Sequence, residues 1–121
     1  MKRDLDLIRT ILTTLENQNS TIADVLSIEG YDDGLVAFHV NLLIDAGLIK
    51  GIQGEELGGI ITAMAGSITW NGYEFLDASR NKDIWEKAKK MLKDRAISIP
   101  FSMFNKLLIL FLEEKIKSSF G

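Results

Sequence analysis

Apolar residues near the start of the chain recur at spacings of three and four positions, which is the pattern of one helix face. The apolar positions in this stretch are Leu5, Ile8, Ile11, Leu12 and Leu15. Asp4 and Asp6 lie in the first turn, where acidic side chains suit the helix dipole. Residues 3–18 are therefore predicted to form an amphipathic helix.

A second helical pattern follows a short segment of mixed character. Within residues 21–31, positions 25–28 suit a brief strand and positions 22–26 suit a helical turn, so both interpretations stay open. Asp32 and Asp33 are typical N-cap residues for the helix that follows. The predicted core face of that helix consists of Leu35, Phe38, Leu42 and Leu43, with Val36 and Val40 flanking it.

The next stretch predicts an antiparallel hairpin. Gly47 is expected to end the preceding helix in a left-handed conformation. Residues 48–53 and 60–70 form the two strands, and the intervening GEELGG, residues 54–59, is rich in turn-forming glycine.

Three further helices are predicted in the remainder of the chain. Thr69 can cap a helix that begins WNGYEFLD, and Asn81 or Asp83 starts the next one, KDIWEKAKKMLKDRA. Pro100 then precedes a last helix over residues 101–117, since proline is tolerated at a helix start.

This order of elements indicates a mainly α fold with a small β-hairpin, namely a winged-helix-like domain plus a C-terminal helical extension. The 121 residues, of which 46% are hydrophobic, suffice for one such core. Residues 1–80 are predicted to form the winged-helix-like domain. Residues 81–121 are predicted to form the extension, which either packs on the same domain or forms a dimer interface.

Three separated blocks of the sequence resemble one bacterial family. The blocks are MKRDLDLIRTIL, FHVNLLIDAGLI and ITWNGYEFLDASRNKDIW, and they extend from residue 1 to residue 85. They resemble the bacterial and phage "domain of unknown function 2513" family, which is similar to winged-helix proteins and is met in phage-like or mobile-element settings. The resemblance implies this fold but no activity and no catalytic residue. Tyr73 stands where the family pattern has histidine.

Charge is distributed unevenly along the chain. Its net charge is −3, but residues 1–79 hold four bases against twelve acids, whereas residues 80–121 hold ten bases against five acids. Such asymmetry indicates either a charged partner or attraction between the two halves, within one chain or between two copies.

The helix before the hairpin lacks the side chains that usually bind DNA. In winged-helix regulators this helix enters the major groove, where Lys and Arg contact phosphates and Arg, Lys, Asn or Gln read base edges. Here it offers His39 and Asn41 among aspartates, and the hairpin offers Lys50. This composition favours a scaffold for packing or protein contacts over the usual DNA-reading role.

Basic residues concentrate instead between residues 80 and 95. The cluster comprises Arg80, Lys82, Lys87, Lys89, Lys90, Lys93 and Arg95. One interpretation is a solvated helix face, assisted by the spacing of Glu86 and Lys90. The other is a contact surface for nucleic acid or for an acidic partner, such as the N-terminal half of a second copy.

The histidine and the two tryptophans are assigned structural roles. His39 is predicted to be partly buried and hydrogen-bonded, and Trp70 and Trp85 are predicted to be core or domain-junction residues. Stacking on a nucleic-acid base would require an exposed ring beside cations, and only Trp85 has such neighbours in sequence.

Motifs for catalysis and metal binding are absent from the sequence. The chain has no cysteine, one histidine and no Gly-x-Ser-x-Gly elbow, and GEELGG is not followed by the Lys-Ser/Thr of a phosphate loop. The pairs Asp32-Asp33 and Glu55-Glu56 are explained by capping and turn roles. We therefore predict no enzyme, catalytic residue, metal site, cofactor or small-molecule substrate.

The last predicted helix is apolar on nearly every side. A helix of this kind must be buried, so one face is expected to cover the core and the other to need a second chain. The candidate homodimer interface consists of Phe101, Phe104, Leu108, Phe111 and Leu112. The alternative is a helix buried wholly within one chain.

Together these patterns favour an uncharacterised, non-enzymatic protein-interaction or assembly module of phage or mobile-element type. The alternative is a DNA-binding transcriptional regulator that uses the basic helix at residues 80–95. A protein partner is favoured over DNA. The longest apolar run, LLILFL, is too short to span a membrane, and MKRDLDLIRTIL carries acids that signal peptides lack, so a cytoplasmic location without membrane contact is expected.

Overall fold

The computed structural model describes residues 1–54, 58–94 and 99–120, and there it contains five α-helices and one two-stranded antiparallel hairpin. The elements in chain order are α1 (Leu5–Glu16), α2 (Asp33–Asp45), β1 (Ile49–Gln53), β2 (Ala63–Ile68), α3 (Trp70–Ser79), α4 (Lys82–Asp94) and α5 (Phe101–Phe120). The prediction of a mainly α, winged-helix-like fold with a small hairpin is confirmed. The predicted turn residues Glu55 and Glu56 and the basic residue Arg95 lie outside the described residues.

Contacts between Cα atoms divide the chain into two compact units, Met1–Glu74 and Phe75–Gly121. The first unit holds α1, α2, the hairpin and the start of α3. The second holds the rest of α3 together with α4 and α5. The sequence placed a boundary six positions later, after residue 80.

Aspartate side chains begin the first two helices of unit 1. The Asp4 carboxylate accepts a hydrogen bond from the Leu7 N–H at 3.1 Å, and the Asp32 carboxylate accepts one from the Gly34 N–H at 3.1 Å. Each bond satisfies a donor that the helix itself leaves unpaired. Of the two predicted caps for α2, Asp32 is therefore the N-cap residue, and Asp33 is the first residue of the helix.

The core of unit 1 lies between α1, α2 and the hairpin, since α1 contacts α2 and β2, and α2 contacts both strands. The buried apolar side chains of the two helices are Leu7, Ile8, Ile11, Leu12, Leu15, Val36, Val40 and Leu43. The predicted core face of α2 is wrong at three of its four positions, because Leu35, Phe38 and Leu42 are only half-buried. This helix carries apolar residues on most of its sides, so the elements that pack against it determine which side is buried.

The segment before α2 forms neither a regular strand nor a helical turn. Asp24 makes a single bridge to β2, in which its N–H donates to the Ala65 carbonyl at 3.1 Å and its carbonyl accepts from the Ala65 N–H at 2.8 Å. This isolated bridge lies beside the two-stranded hairpin, at the position where a winged helix has its first short strand.

Glycine and threonine fix the two ends of the hairpin. Gly47 has φ of +74°, the left-handed conformation predicted for the residue after α2. Thr69 Oγ1 donates to the Gly47 carbonyl at 2.6 Å and accepts from the Gly72 N–H at 3.1 Å. Thr69 thus caps α3, as predicted, and also ties the end of the hairpin to its beginning.

Unit 2 is built around an aromatic cluster. The Trp85 ring lies edge-on to the rings of Phe75 and Phe104, with centroid distances of 6.1 and 5.5 Å, and Phe75 also contacts Phe101 at 4.7 Å. Asn81 caps α4, because its side-chain oxygen accepts from the Ile84 N–H at 3.1 Å. Three helices therefore meet through aromatic side chains.

Trp85 and Trp70 occupy opposite environments. Trp85 is fully buried, as predicted, whereas Trp70 is 79% exposed. The prediction that Trp70 is a core or junction residue is therefore wrong. Trp70 is the first residue of α3, and this position turns its ring to solvent.

Candidate interaction surfaces

The outer side of α2, which would face base edges in a DNA-reading winged helix, is hydrogen-bonded to the hairpin. The Gln53 side-chain amide donates to the Asp45 carboxylate at 2.7 Å and to the Asn41 carbonyl at 3.2 Å. The Asn41 side-chain amide donates to the Thr62 carbonyl at 3.2 Å. The Asn41 side-chain NH2 group and the Asp45 carboxylate are therefore engaged within unit 1, whereas Asn41 Oδ1 is buried without a hydrogen-bond partner among the described residues.

The charges around α2 also oppose a phosphate backbone. Asp32, Asp33 and Asp45 are exposed on or beside the helix, and its sequence contains no lysine or arginine. Lys50 is the exposed base of β1. Because phosphate binding depends on neutralisation by Lys and Arg, this side of unit 1 is electrostatically unsuited to DNA.

Unit 1 also contains an open cleft of about 420 Å³ between the start of α2 and the segment that enters β2. Leu26, Ala37 and Val40 line it with apolar surface, and Asp32 and Asp33 add carboxylates at its edge. The Asp32 carboxylate already caps α2, and Asp33 Oδ1 accepts from the Ser27 hydroxyl at 3.2 Å. Both acids thus have local structural partners.

His39 is fully buried and uses both of its ring nitrogens. Nε2 accepts a hydrogen bond from the Asp4 N–H at 2.8 Å, and Nδ1 lies 2.9 Å from the Leu35 carbonyl, to which it donates. Because Nε2 is the acceptor, this arrangement assigns the donor role to Nδ1. The predicted structural role is confirmed, and the imidazole joins the middle of α2 to the start of α1.

Of the six residues of the predicted basic cluster that the structure describes, three are engaged by neighbouring side chains. Arg80 Nε donates to the Asp77 carboxylate at 2.8 Å, and Lys89 Nζ lies 3.5 Å from the Glu86 carboxylate. Lys87 Nζ lies 4.2 Å from the centroid of the Phe111 ring. The ion pair of Glu86 is thus with Lys89 and not with Lys90, the partner that the spacing suggested.

Lys82, Lys90 and Lys93 are the exposed remainder of the cluster, and no ion pair holds them within the part of the chain that the structure describes. Their spacing places them along the outer side of α4, but Glu86 lies in the same row. The free cationic surface is therefore narrower than the sequence indicated.

The apolar residues of α5 divide into a buried and an exposed set. Phe104, Leu108 and Phe111 are 1%, 0% and 7% exposed, so these three candidate dimer residues are core residues of the single chain. Phe101 and Leu112 are half-buried. The apolar residues of α5 that present surface to a partner are Met103 (53% exposed), Ile109 (37%), Leu110 (49%), Ile116 (47%) and Phe120 (88%).

Together with the half-buried Leu107 and Leu112, these exposed residues form two rows on α5, assigned by the helical repeat. We call Met103, Leu107 and Leu110 the methionine stripe, and Ile109, Leu112, Ile116 and Phe120 the isoleucine stripe. A polar row of Lys106, Glu113 and Lys117 separates them. This division was not predicted, although the seven-residue spacing of Lys106 and Glu113 in the sequence could have indicated it.

In the parts of the chain that the structure describes, no helix is long and apolar enough to cross a membrane. The same parts contain no group of three or more His, Cys, Asp or Glu side chains positioned to hold a metal ion.

Comparison with known proteins agrees with the resemblance seen in the sequence. The profile of the family described as "Hypothetical protein (DUF2513)" matches residues 2–98. An uncharacterized protein of Haemophilus influenzae is 37% identical over 101 residues, which make up 82% of this chain and 85% of that relative. No solved structure matches the chain. The family match ends before α5, so the surface of that helix must be judged from this chain's own residues.

Proposed function

The chain belongs to the DUF2513 family of hypothetical proteins, and we propose that it is a non-enzymatic protein-interaction module that assembles as a homodimer through α5. The exposed apolar side chains of α5 carry this proposal. Large apolar patches on a soluble protein mark interaction sites. Burying a large apolar side chain contributes roughly 1.5–3 kcal/mol, whereas a surface ion pair contributes roughly 0–1 kcal/mol.

The structural roles of the polar residues support a non-enzymatic module. Both ring nitrogens of His39 are hydrogen-bonded inside unit 1. The carboxylates at the cleft cap α2 and accept from Ser27. The family that the sequence resembles is met in phage-like settings. We therefore include in the same proposal an assembly role and a cytoplasmic location.

We expect wild-type protein to have the mass of a dimer by light scattering at micromolar concentration. The double substitution Leu110→Ser and Ile116→Ser removes one exposed residue from each stripe and should yield a monomer with unchanged circular dichroism. Val25→Ser with Ile60→Ser is the matched control, because these residues are 64% and 66% exposed in unit 1. A wild-type monomer, or equal loss of dimer in both variants, would contradict the proposal.

A DNA-binding regulator is the second candidate, supported by the exposed Lys82, Lys90 and Lys93 on α4. It predicts that duplex DNA raises fluorescence anisotropy at low salt and loses affinity steeply as salt increases. Changing the three lysines to glutamate should reduce the salt slope by roughly 0.9 for each phosphate that the protein no longer neutralises. Lys50→Glu, in the hairpin, should leave binding by α4 unchanged. Absence of binding by the wild type at low salt rejects this candidate.

A further inference from the structure

The exposed side of α5 carries a charge pattern that is complementary to itself when the helix is reversed. We propose that α5 pairs with α5 of a second copy in antiparallel orientation through the isoleucine stripe. In this arrangement Lys106 of each copy lies beside Glu113 of the other. The inference rests on the proposed function, because it specifies how the homodimer forms.

The isoleucine stripe has the spacing of a two-helix seam. Ile109, Leu112 and Ile116 follow one another at intervals of three and four residues, as do the core positions of paired helices that interlock side chains. Ile109 and Ile116 are 37% and 47% exposed, and Leu112 is half-buried. All three can therefore contribute apolar surface to a second helix while Phe104, Leu108 and Phe111 stay packed in the core of unit 2.

One antiparallel register places opposite charges together. Suppose that Ile109 of one copy faces Leu112 of the other. Lys106 of the first copy and Glu113 of the second are then offset along the helix axis by two residues, or about 3 Å. Lys106 and Glu113 are seven residues apart and so flank the stripe on the same side. Two-fold symmetry produces this ion pair twice in each dimer.

The competing registers lack this complementarity. Sliding the second helix one heptad further, so that Ile109 faces Ser119, brings the two copies of Glu113 together. Sliding it one heptad the other way brings the two copies of Lys106 together. Parallel pairing places Glu113 across from Leu108 of the other copy and forms no ion pair. Charge therefore favours a single orientation and register.

The methionine stripe is less suited to the same role. Met103, Leu107 and Leu110 continue at the next core position to Glu114. A carboxylate there would be drawn into the seam without a partner, which is costly. The core positions next to Ile109, Leu112 and Ile116 are Asn105 and Ser119, so the seam of the isoleucine stripe is bounded by polar residues but contains no charge.

The test is a charge exchange measured by analytical ultracentrifugation of the full chain. Lys106→Glu and Glu113→Lys should each raise the dimer dissociation constant by roughly tenfold, because each places like charges at both symmetric contacts. The variant carrying both substitutions should regain an affinity near that of the wild type. An equimolar mixture of the two single variants should form a heterodimer with comparable affinity, since one chain then supplies two glutamates and the other two lysines.

A pair of apolar variants identifies the stripe. Ile109→Ser with Ile116→Ser should abolish the dimer, whereas Met103→Ser with Leu110→Ser should retain it. Circular dichroism of each variant establishes that the helices remain folded. The opposite result for the two stripes would overturn the inference.

The outcomes separate this inference from the proposed function. If wild-type protein is a monomer, the homodimer and the inference both fail. The other case is a wild-type dimer for which neither the double variant nor the mixture of single variants regains affinity. In that case the homodimer is confirmed and the antiparallel register is wrong.

Discussion

Replacing Trp85 by alanine is expected to lower the free energy of unfolding by about 3–5 kcal/mol. The side chain is fully buried, and its ring is edge-on to Phe75 and Phe104 at centroid distances of 6.1 and 5.5 Å. The substitution removes the contact surface that α3, α4 and α5 share, and each aromatic pair contributes about 0.5–1.5 kcal/mol beyond its buried area. Urea denaturation followed by circular dichroism measures the loss.

Trp70→Ala is the matched control for this change. Trp70 is 79% exposed, so the same substitution there should alter the free energy of unfolding by no more than about 0.5 kcal/mol. Similar losses for the two tryptophans would show that Trp85 does not organise the core of unit 2.

Replacing His39 by alanine is expected to cost about 2–4 kcal/mol of stability, measured by the same denaturation. The imidazole is fully buried and accepts from the Asp4 N–H at 2.8 Å. Its removal leaves a cavity and strands this N–H, and an unsatisfied buried donor alone costs about 1–3 kcal/mol. The Leu35 carbonyl is less affected, because it lies within α2 and is part of the backbone hydrogen-bond ladder of the helix.

Two further substitutions at His39 separate the hydrogen bond from the packing. His39→Leu restores much of the volume without an acceptor, and His39→Gln provides a side-chain carbonyl that can accept from Asp4. We therefore expect glutamine to be tolerated better than leucine. A leucine variant as stable as the wild type would show that the link from α2 to α1 contributes nothing.

The starts and ends of several elements were predictable because single residues determine the backbone geometry there. Asp32, Gly47 and Thr69 begin or end elements in the manner that their side chains require. These residues act through neighbours within a few positions, so a single sequence contains the necessary information. The order of helices and hairpin followed from such signals combined with apolar spacing.

The buried faces of α2 and α5 were not predictable in the same way. Both helices carry apolar residues on several sides, and a sequence pattern that is apolar all round does not state which side meets a partner. In α2, contacts with α1 and the hairpin select Val36 and Val40 instead of Leu35 and Phe38. In α5, contacts with α4 bury Phe104 and thereby remove it from the surface expected for a dimer.

The sequence thus predicted which helix carries the candidate surface but not which residues of that helix form it. The sequence identified α5 as the element with excess apolar surface. It assigned the interface to five residues, of which Phe104, Leu108 and Phe111 are already buried within the single chain. The other two, Phe101 and Leu112, are half-buried. The structure shows that Ile109 and Ile116 are among the apolar side chains of α5 that remain exposed. The same reasoning applies to Trp70: its position at the start of α3 was predicted, but the exposure of its ring was not.

The contrast between the two tryptophans provides each compact unit with its own intrinsic fluorophore. Trp70 belongs to the unit Met1–Glu74 and Trp85 to the unit Phe75–Gly121. An indole in water emits at longer wavelength and is quenched by acrylamide, whereas a buried indole is shielded from the quencher. The variant that retains Trp85, with phenylalanine at position 70, therefore reports on the unfolding of unit 2 by a shift to longer wavelength, without any attached label. Trp70 is already 79% exposed, so its emission should change little when unit 1 unfolds.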